Sequence, residues 1–346
     1  MSSETKSSSG TILSASPNSS ANSAHAVRGF LYISAATFLW GFSAVMGRAV
    51  FTGRVTFGDL TIPKVDPLML TQARTSIALV VLAPILLLKN RAVLRFQPEH
   101  LIQFVLLGIG GFAASNYFYY LAIERSSVAT AIVLQYVAPV WVLLYMLATR
   151  RQRPTLSRIL GVFLAVMGCA FAVGMLTAHA AFPFVRLTGA RFSTIGVIAA
   201  ELAAISFAFY NVYGQHLLQS YHRWTVLFYA LCGAAAFWIV VNPPWKIAAH
   251  HYTAGQWVFM AIFSMTSMLV PFSFYFAGLQ YLDPTRAIVA GCLEPVFAIL
   301  LTALLLGELV SPAQVLGMVV VLCAALLVQR PDRTHDEPGI VVQPIE

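Results

Sequence analysis

Apolar residues run through this chain in long unbroken stretches, without the alternation of strands. Ten stretches are separated by polar or turn-forming residues: 30–51, 68–88, 101–123, 127–149, 159–178, 194–214, 225–242, 256–280, 285–306 and 312–329. A helix of about 20 residues crosses the roughly 30 Å hydrocarbon layer of a bilayer. Backbone groups in lipid need internal hydrogen bonds, which an α-helix supplies within one segment. The pattern predicts an all-α membrane protein with ten transmembrane helices. Lys89–Arg95, Arg150–Arg158 and Asn242-Pro243-Pro244 are the sharpest breaks; Glu124-Arg125-Ser126-Ser127 is the slightest. The flanks, residues 1–28 and 331–346, are polar and predict disordered tails. No basic segment precedes the run from Gly29 to Gly47, which is also too long for a signal-peptide core. It is expected to persist as the first span.

Composition narrows the class. Of 346 residues, 59% are hydrophobic and 10% charged, against about 45–50% and about 25% in soluble domains. Such a surface excludes a water-soluble enzyme. The net charge of +8 comes from short basic clusters between apolar runs, with no aromatic–basic platform for nucleic acid. Those clusters read as topology signals. With the N-terminus in the cytoplasm, thirteen Lys and Arg fall inside and six outside; Arg48 and Arg74 lie within helices. The positive-inside rule then places both termini in the cytoplasm. The expected partners are the lipid bilayer and a small-molecule substrate, not nucleic acid.

No cofactor or metal is expected. Cys169, Cys232, Cys292 and Cys323 sit inside apolar runs without ligand spacing, and the eight histidines fall in tails or loops. No P-loop is present, so no ATP motor resides in the chain.

The chain matches itself at an offset of 156 residues. Tyr119 through Leu144 lies over Tyr275 through Leu300, with Pro139 over Pro295, and Leu160-Gly161 lies over Leu316-Gly317. Helices four and five thereby pair with nine and ten. Each copy has five spans, and an odd number inverts the second copy relative to the first. The expected organisation is ten transmembrane helices as two inverted five-helix repeats, at 29–180 and 193–330. Inverted repeats are an architecture of alternating-access transporters, with the site near the midplane.

Several pieces carry a family resemblance: Leu39-Trp40-Gly41, Arg74, Tyr119-Tyr120-Leu121-Ala122 leading to Pro139, Leu293-Glu294-Pro295, and Leu306-Gly307-Glu308 followed by Gln314-Val315-Leu316-Gly317. In their order and spacing the chain resembles the drug/metabolite transporter superfamily, in particular its EamA-type ten-helix members, over about residues 30–329. Two departures stand out. The first copy has Ala138 where the second has Glu294, and Arg151-Gln152 where the second has Gly307-Glu308. The resemblance implies export or exchange of small metabolites, amino acids or drugs across the bacterial inner membrane.

Candidate residues follow from the cost of burying charge, about 2.5–3.5 kcal/mol per ionisable group in a span. Glu294 reads as a cavity carboxylate that meets a cationic group or takes up a proton. The alternative is a hydrogen bond to backbone freed beside Pro295. Arg74 and Glu201 lie at similar depth, roughly 10 Å from the external face, and are expected to pair as a structural lock or an outer gate. Arg48 is expected to snorkel. Pro139 and Pro295 free the carbonyls of Gln135 and Gly291, so paired kinks around a central cavity are expected. Trp40, Tyr117, Tyr120, Gln135, Tyr136, Tyr210, Asn211 and Tyr275 are candidates to line it. Pro84 and Pro271 predict kinks without counterparts. Gly161, Ala165, Gly168 and Ala172 form a small-residue stripe that permits close helix packing, including that of a homodimer. A second reading is a multi-pass enzyme acting on lipid-linked substrates, with Arg150–Arg158 as its polar face.

Overall fold

The computed structural model describes residues 17–51, 56–57, 60–61, 67–125, 128–174, 176–177, 186–187, 193–249, 251–307 and 309–329. Among them, apart from two short ladders, the chain is helical. In order the helices are α1 (Pro17–Phe51), α2 (Pro67–Lys89), α3 (Leu101–Leu106), α4 (Ala114–Arg125), α5 (Val128–Gln135), α6 (Ala138–Ala148), α7 (Leu156–Ala172) and α8 (Thr194–Leu218). They continue with α9 (Arg223–Val241), α10 (Pro244–Ala249), α11 (Ala254–Ser264), α12 (Val270–Leu279), α13 (Pro284–Gly291), α14 (Glu294–Leu306) and α15 (Pro312–Val328). Two-residue strands pair antiparallel in two of the connections, Thr56 with Thr61 and Leu176 with Leu187.

Among the described residues, eight helical segments are long and apolar enough to cross a membrane: Ala24–Met46, Leu68–Lys89, Pro98–Ala122, Ala131–Ala148, Thr194–Leu218, Arg223–Val241, Ala254–Leu279 and Pro284–Leu305. Two shorter apolar helices, α7 and α15, occupy the places of the expected fifth and tenth spans. The expected tail at 1–28 is partly helix, since α1 starts at Pro17. No glycine or proline interrupts 18–28, so the polar turns simply extend the apolar ones. The rest of the expected tails lies outside the described residues. Helix α7 ends six residues before the expected 178, where Gly174 turns into the left-handed region at φ 78°.

Four expected single helices are interrupted. Between α3 and α4 the residues Leu107–Ala113 form a π-helical stretch, and between α11 and α12 Met265–Leu269 form another. An offset of 156 carries the first stretch onto 263–269, so the two overlap. Pro271 lies in the first turn of the helix that follows the second stretch. At Pro139 and Pro295, where kinks are expected, the helices restart after a turn. Tyr136-Val137 and Cys292-Leu293 form turns before α6 and α14, with each proline in the first helical turn that follows.

Packing pairs the helices across the chain. Helix α1 lies against α12 and α14, α8 against α4, α5 and α6, and α2 against α9. The closest pair is α7 with α15, which run antiparallel: Gly161 meets Val328, Gly168 meets Val321 and Ala172 meets Gly317. A Cβ on Gly168 would lie 2.8 Å from the Val321 nitrogen, and one on Gly317 would overlap the Ala172 backbone. The small-residue stripe of α7 is thus filled by α15 of the same chain. The largest buried cluster is mainly aliphatic and has a group of packed aromatic rings within it. Tyr210 packs on Phe112 at 4.8 Å and on Phe276 at 5.4 Å, and Phe112 packs on Phe272 at 4.7 Å.

Candidate functional site

The break before Glu294 opens a cavity. Its volume is about 240 Å³, and its wall combines α1 (Ala44, Val45), α5 (Ile132), the turn residue Tyr136, the end of α7 (Ala172, Val173) and α14 from Glu294 to Ala303. Leu309, Val310 and Gln314, before and within the start of α15, complete the mouth. Most of the lining is apolar. Thr302 and Gln314 add neutral polarity, and Glu294 supplies the charge.

Glu294 begins α14 where the helix has just restarted, so it faces the cavity beside Pro295 rather than lying within a continuous span. The Tyr136 hydroxyl donates to its carboxylate. Tyr136 stands in the equivalent turn of the other broken helix, so both breaks meet at this hydrogen bond. Arg74 acts on the carboxylate through space without forming an ion pair with it. Tyr119, on α4, is within the field of both charges and packs its ring 5.5 Å from that of Tyr120.

The structure separates the other candidates. Arg74 donates to the Asn116 side chain, and Asn116 in turn donates to the Phe112 carbonyl at 2.7 Å. The Arg74 carbonyl accepts from Ser264 at 2.6 Å. Glu201 accepts from the Trp141 indole at 3.2 Å. The expected Arg74–Glu201 pair is therefore not formed. Equal depth in the membrane does not fix which way two helices turn their faces, and each residue meets a neutral partner instead. Asn116 and Tyr119 were missed because they sit inside an aromatic run whose polar members look like interface anchors.

Trp40, Tyr210, Asn211 and Tyr275 are packed in the aromatic core and do not line the cavity. Tyr275 donates to Asn211, and Asn211 donates to the Phe207 carbonyl at 2.8 Å. Trp40 stacks 5.2 Å from Tyr275. Tyr120 and Gln135 are half-buried and lie outside the cavity wall. Tyr117 edges onto Phe237 at 6.1 Å. Pro139 is buried, whereas Pro295 lines the cavity. The side chains of Arg48 and Glu308 lie outside the described residues.

Apolar helices of spanning length, with a partly polar open cavity among them, define a multi-pass α-helical membrane protein. The chain belongs to the EamA-like transporter family, matched over residues 27–174 and 194–330. It is similar to an uncharacterised inner membrane transporter, YicL, of Salmonella typhimurium: 22% identity over 311 residues, covering 88% of this chain and 96% of that one. It is also similar to an uncharacterised transporter of Archaeoglobus fulgidus, at 26% identity over 213 residues, 61% of this chain and 71% of the relative. A solved crystal structure shares the fold with TM-score 0.67 at 18% identity, covering 88% of this chain and 97% of the other. The chain is thus a membrane transporter by family.

Proposed function

We propose that the chain is a secondary transporter that exports or exchanges a small organic solute by alternating access across the bacterial inner membrane. In this reading ten helices form two inverted repeats of five, both termini are cytoplasmic, and Glu294 with Tyr136 holds a polar or cationic group of the solute. The observation that carries it is the symmetry of the α7–α15 contact. Gly161 meets Val328, and Gly317 meets Ala172. The offset of 156 turns the first pair into the second with the partners exchanged, as a two-fold axis in the membrane plane requires. The matched π-helical stretches and the matched breaks at 136–137 and 292–293 support the same axis.

The cavity also sets a size class. Its roughly 240 Å³ falls below the about 300–1,000 Å³ of drug-sized sites, which favours amino-acid-sized metabolites over larger drugs. The test is solute flux in proteoliposomes without nucleotide, screened over amino acids, small metabolites and organic cations. Flux that saturates and falls about tenfold or more in Glu294→Gln is expected. The absence of flux for every solute class would sink the proposal.

A further inference from the structure

The repeat has left the same positions open in one half and closed in the other. Ile132, Glu294, Ala298 and Thr302 line the cavity. At the offset of 156 they correspond to Ile288, Ala138, Val142 and Met146. Those four residues form one buried cluster with Ala204, Ala208 and Val212, and their exposures are 1%, 0%, 0% and 6%. The equivalent of the open cavity is therefore a collapsed, dry seam between α6, α8 and α13.

Over that seam lies a group of charges. Asp283 caps α13, its carboxylate accepting from the Arg286 backbone N–H at 3.0 Å. The same carboxylate meets the Arg286 side chain at 3.3 Å and Arg158 of α7 at 4.0 Å. Thr285 donates to Gln152 at 2.8 Å, and Gln329 donates to the Arg286 carbonyl at 3.3 Å. Arg158 and Gln152 belong to the first half of the chain; Asp283, Thr285, Arg286 and Gln329 belong to the second. On the open side the offset places Gln314 and Val173 at the positions of Arg158 and Gln329, and both line the cavity mouth. Ser127 and Thr130 stand for Asp283 and Arg286. Glu308 stands for Gln152, so the offset replaces the three charged members of the network by neutral residues and one neutral member by a carboxylate.

We infer that Arg158, Asp283 and Arg286, with Gln152, Thr285 and Gln329, form the inner gate of the transporter, and that the Ala138–Val142–Met146–Ile288 seam is the inner half of the solute path in its closed state. This rests on the alternating-access reading above. The polar ties of this gate hold the two halves together at the inner end. Outward opening is the state the network favours. A transition inward must separate Arg158 from Asp283 and Gln152 from Thr285, and then part the apolar seam beneath them.

The experiment reads conformation rather than transport. Asp283→Asn removes the charge while keeping a good helix cap; Arg158→Gln removes the partner from the other half. Each is combined with a reporter, Met146→Cys in the seam or Thr302→Cys in the cavity. A membrane-impermeant maleimide is applied to inside-out and right-side-out vesicles, and labelling of the native cysteines is measured on the unsubstituted chain. With the gate intact, Thr302→Cys reacts from outside and Met146→Cys is protected. Each gate variant is expected to raise labelling of Met146→Cys from the cytoplasmic side about threefold to fivefold and to lower that of Thr302→Cys. The double gate variant adds less than the sum of the two, because each change alone already removes the Arg158–Asp283 contact. Unchanged labelling at both reporters overturns the gate. A parallel rise at both also overturns it, since that marks loosening rather than exchange of access. A chain that gates in this way yet moves no solute in any assay overturns the transporter reading alone.

Discussion

A single carboxylate decides the character of the cavity. Insertion of Glu294 costs about 2.5–3.5 kcal/mol, and the restarted helix, the Tyr136 hydroxyl and the open cavity together offset it. Replacing it with Gln keeps the shape and removes the charge. Transport is expected to fall about tenfold or more, with any dependence on a pH gradient abolished while residual exchange stays measurable; reconstituted flux checks both. Unchanged gradient dependence would show that Glu294 carries no coupling proton. Tyr275 behaves differently. Tyr275→Phe leaves the buried Asn211 oxygen without its donor, at a cost of about 1–3 kcal/mol. Its melting temperature in detergent should drop while flux per folded molecule is retained. Both residues stood out in the sequence as polar groups in apolar surroundings, and only one faces the cavity. Glu294 was legible because a charge in hydrocarbon needs a cavity or a partner. The place of Tyr275 was not, because a tyrosine satisfied by one neighbouring amide fits equally well into a core.

At the scale of elements, hydropathy located the helices and hid their interruptions. In a spanning helix nearly every position is apolar whether it faces protein or lipid, so a π-helical turn leaves little trace in the pattern. Only Gly108, Gly110 and Gly111 hinted at the first stretch, and Ser264, Thr266 and Ser267 at the second. The broken helices were more legible, because Pro139 and Pro295 each remove a backbone donor at a fixed place. The closest approach rests on α7 and α15, where glycine allows backbones to touch. Gly317→Ala would drive a methyl into the Ala172 backbone, which cannot yield as a flexible side chain does. A loss of about 1–3 kcal/mol is expected. Gly110→Ala serves as the control, since its nearest neighbour is the Phe209 ring at 3.5 Å, an ordinary contact. Thermal unfolding in detergent should separate the two variants clearly, and equal stability would show that the α7–α15 contact is not tight.

For the whole molecule the open question is whether α7 and α15 cross the membrane. Each has 17 residues, about 25 Å of helix at 1.5 Å per residue, at the lower limit for a span. If both cross, there are ten spans and the repeats are inverted. If neither crosses, eight spans remain and the second half keeps the orientation of the first. The two cases disagree about one pair of equivalent, exposed positions. Arg153 precedes α7, and Leu309, 156 residues later, precedes α15. With ten spans and a cytoplasmic N-terminus, Arg153 lies inside and Leu309 outside; with eight, both lie inside. The charge bias already favours ten, because Arg150, Arg151, Arg153 and Arg158 cluster at the first position and no Lys or Arg lies between 287 and 329. Antiparallel glycine contacts bury the mutual faces of α7 and α15, and their outer faces carry exposed Leu, Ile, Phe and Val suited to lipid. Arg153→Cys and Leu309→Cys should therefore react with an impermeant maleimide from opposite sides of sealed vesicles. Labelling from the same side would remove the inverted repeat and, with it, the symmetry on which alternating access is argued.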